Sequence, residues 1–151
     1  MFEVVNVKIK QIGNGVLPIY KREGDVCMDC YSRTDIVVEK KKEDIMEVTE
    51  RTLVPLGFAL ELPFGYEAVI RPRSGLSKEG IDIAIGTVDT NYRGEVMACV
   101  INNTCKDYVI HKGDRICQLA IRKAPIISWK IVEELSDTER GSNGFGSSGI
   151  K

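Results

Sequence analysis

The amino-acid sequence predicts an all-β fold, a barrel or jelly roll, from two features of its pattern. Apolar residues alternate with polar ones over most of the chain, and a period of two is typical of strands that bury one face. The alternating residues include Val5, Val7, Ile9, Ile81, Ile83 and Ile85. Turn-forming segments interrupt this alternation at Gly13-Asn14-Gly15, Pro63-Phe64-Gly65, Asp89-Thr90-Asn91 and Lys112-Gly113-Asp114. Many short strands joined by tight turns are typical of β-barrels and jelly rolls.

Two segments depart from simple alternation. The run from Val96 to Ile101 is apolar at every position, so both faces of a strand there would be apolar, which predicts a buried strand. A single short helix of one or two turns is predicted after Ser74, because serine is favoured as an N-cap and the segment Leu76-Ser77-Lys78-Glu79 that follows can continue a helix.

The composition is that of a single globular domain. The chain has 151 residues, 43% of them hydrophobic and 28% charged, which is enough to bury a core. A formal net charge of −1 gives no indication of a nucleic-acid or membrane-surface binder, so an anionic ligand would need a local basic cluster. The segment Met1–Gln11 does not resemble a signal peptide, and an odd count of five cysteines predicts a reducing cytoplasm.

Cys27 and Cys30 form a C-x-x-C pair that could indicate zinc. A structural zinc site needs four ligands, and a second pair is missing, since the remaining cysteines are scattered and His111 is the only histidine. On a strand, residues three apart point to opposite faces. Buried, unreactive thiols are therefore the favoured interpretation.

The chain changes character at Glu133, which predicts a core over residues 1–132 and a flexible arm over residues 133–151. The arm contains Gly141-Ser142-Asn143-Gly144-Phe145-Gly146-Ser147-Ser148-Gly149, and so much glycine and serine cannot build a core. A disordered tail is the simplest interpretation. An arginine at 140 and a lone aromatic at 145 point instead to parts that could hold phosphate and stack on a base.

Three segments before the arm carry residues suited to chemistry, and each is ambiguous by itself. Arg71-Pro72-Arg73-Ser74-Gly75-Leu76 could bind an anion at the start of the predicted helix, or simply be solvated. Gly86–Gly94 places Asp89 and Tyr92 in a turn, where the aspartate could activate water or merely cap the turn. Gln118 lies among apolar residues of a third segment and could be structural or face a ligand.

In order along the chain, these segments resemble the motifs of the homotrimeric dUTPase family. The matching segments are Arg73-Ser74-Gly75-Leu76 for the second motif, Val88-Asp89-x-x-Tyr92-Arg93-Gly94 for the third, Gly113-Asp114-Arg115-Ile116-x-Gln118-Leu119 for the fourth and Arg140-Gly141-Ser142-x-Gly144-Phe145-Gly146-Ser147-Ser148-Gly149 for the fifth. The first motif departs, since Val26-Cys27-Met28-Asp29-Cys30 stands where the family has Ala-Gly-x-Asp-Leu. Asp29 is retained, and the small glycine is lost.

The resemblance implies a jelly-roll-like distorted barrel of the dUTPase type and hydrolysis of dUTP to dUMP and pyrophosphate. Asp89 matches the carboxylate that orients and deprotonates the water attacking the α-phosphorus. The hairpin from Gly86 to Tyr92 matches the element that reads uracil with backbone groups, and Tyr92 the ring that packs on deoxyribose. The reaction would keep uracil out of DNA and supply dUMP for dTMP synthesis.

The resemblance also implies how the triphosphate is held. Arg73, Ser74, Gly75 and Gln118 match contacts to phosphate and to the attacking water, with Asp29 as support. The residues matched in the arm are Arg140, Gly146, Ser147 and Ser148 for phosphate and Phe145 for covering the uracil. Mg²⁺ is the implied cofactor, bound by phosphates and water without a protein ligand. Each site in the family is assembled from three chains, which implies a homotrimer.

Two alternative functions remain at this point. The related dCTP deaminases share the fold and use a catalytic glutamate further along the strand after the hairpin, where this chain has no acidic residue between Glu95 and Val100. A non-catalytic nucleotide-binding protein would bind dUTP without releasing pyrophosphate, although Asp89 and the arm motif are both intact.

Overall fold

The computed structural model describes residues 4–40 and 51–142, and within them it contains eleven β-strands and one helix. The strands are β1 (Lys8–Gln11), β2 (Met28–Tyr31), β3 (Ile36–Val38), β4 (Arg51–Pro55), β5 (Phe58–Glu61), β6 (Tyr66–Arg71), β7 (Ile81–Ala84), β8 (Gly86–Val88), β9 (Met97–Asn102), β10 (Tyr108–Ile110) and β11 (Arg115–Lys123). The helix is α1 (Ser74–Lys78). The prediction of an all-β fold with one short helix is confirmed.

The strands form four small antiparallel sheets around one core. Their orders are β2-β11-β6-β8, β4-β9-β7, β1-β5 and β3-β10. The largest fully buried side chains include Leu56, Phe58, Ile70, Ile110, Ile116 and Leu119. Because these residues come from different sheets and the loops between them, the inner faces of the sheets share a single apolar cluster.

The four-stranded sheet sets the positions of the residues that matter for function. In β11, Gln118 lies opposite Asp29 of β2 on one side and opposite Arg71 of β6 on the other. At the far edge, β8 pairs with β6 so that Gly86 lies opposite Ile70. The segment that resembles the fourth motif therefore lies mainly on β11, while those that resemble the second and third motifs follow the ends of β6 and β8 of the same sheet.

The predicted helix is present, but the predicted serine cap is wrong. Ser74 is the first residue of α1, and the N-cap position belongs to Arg73, which makes no side-chain capping hydrogen bond. Arg73 has an extended backbone, with φ −98° and ψ 130°, and its guanidinium turns instead to the carbonyl of Arg115, 2.6 Å away. The arginine is used for a contact between loops, and the five-residue helix forms without a side-chain cap.

Two expectations from the apolar pattern need correction. Ile81 and Ile83 are buried as predicted. Ile85 is 74% exposed because β7 ends at Ala84 and β8 begins at Gly86, which leaves Ile85 between the two strands. In β9 only one face is buried, since Met97 remains exposed and Cys99 and Ile101 are half-buried. The outer face of this central strand is only partly covered by the described residues.

Two of the cysteines form a buried facing pair. Cys30 of β2 lies opposite Cys117 of β11, and both side chains are fully buried. A hydrogen bond with Cys117, together with burial, raises the pKa of the Cys30 thiol, which keeps it protonated. Cys27 precedes β2 and is half-buried. All five cysteines are free.

Past β11 the described chain is exposed and forms no further strand or helix. Residues 125–142 are exposed, including Trp129 at 88% and Ile131 at 96%. The division between a core of residues 1–132 and an arm of residues 133–151 stays a prediction. Within the described residues there is no helix with the length and apolar character to cross a membrane. The cytoplasmic location also stays a prediction from the sequence.

Candidate functional site

A basic cluster is centred on the carboxylate of Asp29. One of its oxygens lies 3.1 Å from the guanidinium of Arg115, and the other lies 3.6 Å from that of Arg73. The Asp29 side chain is only 13% exposed, so these two ion pairs are partly shielded from water. Arg73 also donates to the main-chain carbonyl of Arg115. One carboxylate therefore fixes two arginines and leaves the group with a net positive charge.

The backbone around Asp29 explains why its side chain is held so firmly. Its N–H donates to the carbonyl of Ile19 at 2.9 Å, and Gln118 lies beside it on β11. A cavity of about 230 Å³ opens next to the pair, lined by Asp25, Val26, Cys27, Asp29 and Gln118. An amide donor and two guanidiniums near a cavity form a donor set suited to phosphate oxygens.

Ser74 and Gly75 lie directly after Arg73 and are both exposed. A β-carbon added at Gly75 would meet no atom within 4 Å in the described chain, so its backbone is open to a ligand. The structure thus brings Asp29, Arg73 and Gln118 together, with Ser74 and Gly75 next in sequence. We call the group of Asp29, Arg73, Ser74, Arg115 and Gln118 the basic cluster.

A second candidate region is the loop between β8 and β9, which the sequence predicts as a hairpin. The two strands belong to different sheets and do not pair with each other, so the connection is a turn between sheets. We call this loop the hairpin. It lines a cavity of about 220 Å³ with Ile70, Gly86, Thr87, Val88, Asp89, Tyr92, Glu95, Val96 and Met97. Its lining combines apolar side chains, backbone groups, two carboxylates and an aromatic ring. Such a mixture suits a small planar polar ring attached to a sugar. We call this cavity the hairpin pocket.

The hairpin is closed by one main-chain hydrogen bond and by the guanidinium of Arg93, and neither contact uses the Asp89 side chain. The N–H of Tyr92 donates to the main-chain carbonyl of Asp89 at 3.1 Å, and Arg93 donates to the carbonyl of Thr90 at 2.6 Å. Among the described residues the carboxylate of Asp89 makes no hydrogen bond, and it is exposed. The turn is therefore not capped by this side chain, and the carboxylate is available to bind water.

Within one chain, the basic cluster and the hairpin pocket lie at different ends of the sheet. Strand β8 runs antiparallel to β6 and away from Arg71, so Asp89 follows Val88 to a level near Glu67. Four residues of a strand correspond to about 13 Å. Asp29 is moreover on β2, at the opposite edge from β8. Asp89 and the basic cluster of the same chain are therefore separated both along the sheet and across it.

The arm residues are described only in part. Arg140 lies in the exposed segment before the described chain ends at 142. Phe145, Gly146, Ser147 and Ser148 lie outside the described residues. Their predicted contacts with substrate stay predictions.

The sequence interpretation missed Arg115 as a member of the basic cluster. The signal was present, because Arg115 belongs to the segment that resembles the fourth motif and precedes Gln118 by three residues. What the sequence could not reveal is the pairing of β11 with β2, which brings Arg115 level with Tyr31 and within reach of Asp29.

The chain is similar in sequence to known dUTPases. The dUTPase family model matches residues 14–149. A deoxyuridine 5'-triphosphate nucleotidohydrolase from Orientia tsutsugamushi (strain Boryong) is 44% identical over 154 residues, covering 97% of this chain and 100% of the relative. A protein of the same name from Finegoldia magna is 41% identical over 150 residues, covering 96% of this chain and 99% of the relative.

The fold is also similar to solved structures. The dUTPase of Staphylococcus bacteriophage 80alpha with dUPNHPP matches with a TM-score of 0.85 and 26% sequence identity, covering 96% of this chain and 99% of the phage chain. The match extends over almost the whole length of both chains, so the two proteins share the all-β architecture. The similarity in fold agrees with the similarity in sequence.

Proposed function

The chain belongs to the dUTPase family and is a dUTP diphosphatase, and on that premise we propose that Asp89 activates the water that splits dUTP into dUMP and pyrophosphate. The observation that carries the proposal is an exposed carboxylate, free of hydrogen bonds within the described chain, at the hairpin pocket beside Tyr92. A carboxylate in that state can hold a water molecule and accept its proton. The reaction removes dUTP from the DNA precursor pool and supplies dUMP for dTMP synthesis.

The hairpin pocket is the proposed site for uracil and deoxyribose. Uracil presents an N3–H donor between two carbonyl acceptors, which backbone groups between Gly86 and Tyr92 can complement. The pocket volume of about 220 Å³ is small, and the Tyr92 ring forms part of its wall. We infer that this ring packs on the sugar and leaves no room for a 2'-hydroxyl, and that the tight hairpin excludes the methyl group of thymine.

The basic cluster is the proposed site for the phosphates. Arg73, Ser74, Gly75 and Gln118 would donate to phosphate oxygens and help to place the attacking water. Asp29 supports this role indirectly, because it holds the guanidiniums of Arg73 and Arg115 in fixed positions. Arg140, Gly146, Ser147 and Ser148 of the arm are proposed to add phosphate contacts, with Phe145 covering the uracil.

Mg²⁺ fits this site as an ion carried by the triphosphate. Both carboxylate oxygens of Asp29 already face arginines, and the described residues hold no group of three or more His, Cys, Asp or Glu side chains placed as metal ligands. Arg73, Ser74 and Gln118 would hold the phosphates to which the ion binds. When bound, Mg²⁺ neutralises charge that builds up on the phosphate oxygens during hydrolysis.

We propose a homotrimer in which one chain supplies the basic cluster and another the hairpin pocket of each site. The separation of the two regions within one chain supports this arrangement, because both must act on the same phosphate. Exposed apolar surface supports it too, since Trp129, Ile131 and Leu53 are largely uncovered in the single chain. Burying such residues is a general driving force for association.

A substrate panel tests the activity. Wild-type protein should release pyrophosphate from dUTP and from none of the other seven common ribo- and deoxynucleoside triphosphates at a comparable rate. The measurement is coupled detection of pyrophosphate with Mg²⁺ present, with ammonia release from dCTP recorded in parallel. Ammonia release would identify a deaminase, and dUTP binding without pyrophosphate would identify a non-catalytic binder.

Mixed trimers test the shared site. Arg73→Ala should damage only the basic cluster and Asp89→Asn only the hairpin pocket, so each variant alone should be nearly inactive. In every trimer that contains both kinds of chain, one site of the three should combine two undamaged halves. Tandem purification of co-expressed, differently tagged chains should therefore recover about one third of the wild-type rate.

The control for the mixed trimers is each variant co-expressed with a second-tagged copy of itself, which should stay inactive. Light scattering on a sizing column should give three chains per particle for all of them. Mixed particles without activity, or a monomer with full activity, would rule out the shared-site arrangement.

A further inference from the structure

An ion pair outside the matched motif residues anchors the base of the hairpin. Arg33, in the loop after β2, donates to both carboxylate oxygens of Glu95, through Nε at 2.7 Å and through a terminal nitrogen at 3.0 Å. The main-chain N–H of Gly57 donates to the same carboxylate at 2.9 Å. Three donors thus fix the side chain of Glu95. This side chain is 20% exposed, and that of Arg33 is 34% exposed.

The partners of Glu95 are themselves held by the barrel. The N–H of Arg33 donates to the carbonyl of Pro55 at the end of β4. Gly57 packs so closely against Gly15 that a β-carbon on either residue would lie within 2.4 Å of the other's backbone. The residue after Glu95 is bonded at both main-chain groups, since Val96 accepts from Leu56 and donates to Phe58. The carboxylate of Glu95 is therefore attached to a rigid part of the fold.

The same residue determines where the Tyr92 ring lies. The hydroxyl of Tyr92 donates to the main-chain carbonyl of Glu95 at 3.0 Å. The ring covers Gly94, where an added β-carbon would lie 2.3 Å from the Tyr92 oxygen. The ring is thus held over the chain by one hydrogen bond at its tip and by the absence of a side chain beneath it. Any movement of Glu95 would move the tip of the ring, which lines the hairpin pocket.

We propose that Arg33 and Glu95 are positioning residues for sugar selection, which they control by fixing Tyr92 against the pocket. This inference rests on the proposed function, in which the Tyr92 ring excludes a 2'-hydroxyl. A solvent-exposed ion pair usually contributes little to the stability of a protein. A bidentate arginine–carboxylate contact with a third donor nevertheless fixes the position and orientation of the carboxylate. If this contact is weakened, the Tyr92 ring can move away from the hairpin pocket, and a ribonucleotide can then bind there.

The test compares kcat/KM for dUTP and UTP in variants of this ion pair. Arg33→Met keeps most of the apolar stem and removes the charged fork, and Glu95→Gln keeps the shape and removes the charge. Both should lower the dUTP-to-UTP ratio by about tenfold or more, mainly through a lower KM for UTP. Tyr92→Phe, which keeps the ring and loses the hydroxyl that binds Glu95, should change the ratio in the same direction. Arg33→Lys keeps the positive charge, so its dUTP-to-UTP ratio should fall less than that of Arg33→Met.

Asp107→Asn is the control, because it neutralises another carboxylate, which accepts a hydrogen bond from the N–H of Lys40, and neither residue lines the hairpin pocket. Its ratio should equal that of the wild type. If Arg33→Met is not recovered in folded form, Glu95→Gln and Arg33→Lys decide the outcome. Equal losses for both nucleotides, with an unchanged ratio, would overturn the inference and reduce the ion pair to a structural role. A wild-type protein that does not hydrolyse dUTP would instead overturn the proposed function.

Discussion

Replacing Asp89 by Asn is expected to lower kcat for dUTP by about 10²–10⁴-fold, the usual contribution of a general base. Asn has nearly the same size and favours turns, and the hydrogen bond that closes the turn uses the main-chain carbonyl of residue 89. Folding, assembly and the Kd for dUTP should therefore change little. The substitution removes the negative charge that orients the water and the group that accepts its proton.

Single-turnover kinetics with saturating Mg²⁺ make this measurement specific to the chemical step. Asp82→Asn and Asp114→Asn are matched controls, because their carboxylates accept hydrogen bonds within the fold. Asp82 accepts from Ser77 and from the N–H of Ile83, and Asp114 accepts from the N–H of His111. These changes should act mainly through stability. A near wild-type kcat for Asp89→Asn would mean that another group is the base.

The fold could be predicted from the sequence because turns and alternation are local signals. A strand is indicated by its own alternating apolar residues and by the turn residues beside it, so the all-β class and a short helix near Ser74 could both be predicted from the sequence. Ile85 was misassigned because the break between β7 and β8 depends on the separate pairing of β7 with β9 and of β8 with β6. Pairing between distant segments leaves no mark on a local pattern.

The candidate site likewise contains residues that could be predicted from local sequence and contacts that could not. Asp89, Tyr92, Arg73 and Gln118 could be found because they belong to short segments that resemble family motifs. Arg33 and Glu95 are 62 positions apart, and their contact follows from the way the loop after β2 meets the end of the hairpin. The prediction that both faces of β9 are buried fails for a different reason. One face of that strand is only partly covered in a single chain, and the sequence does not distinguish burial in the fold from burial between chains.

The arm carries the second large expected effect. Ending the chain after Glu139 removes Arg140, Phe145, Ser147 and Ser148, and should abolish most dUTPase activity while leaving the melting temperature and trimer intact. The core should be unaffected, because β11 ends at Lys123 and the described residues beyond 124 are exposed. The segment up to Glu139, with its apolar side chains, remains available for contacts between chains.

Stacking of one aromatic on a base contributes about 1–3 kcal/mol, and charge-assisted contacts to phosphate add further stabilisation. Together they predict a fall in kcat/KM of about 100-fold or more. Phe145→Ala should reproduce the part of this fall in kcat/KM that comes from lost stacking. Phe145→Tyr keeps an aromatic ring, so it should retain the stacking. The matched control ends the chain after Gly149, which removes two residues but none of the proposed contacts, and it should be fully active. Turnover at the full rate without residues 140–151 would show that the arm is a passive extension and that each site is closed by the barrel alone.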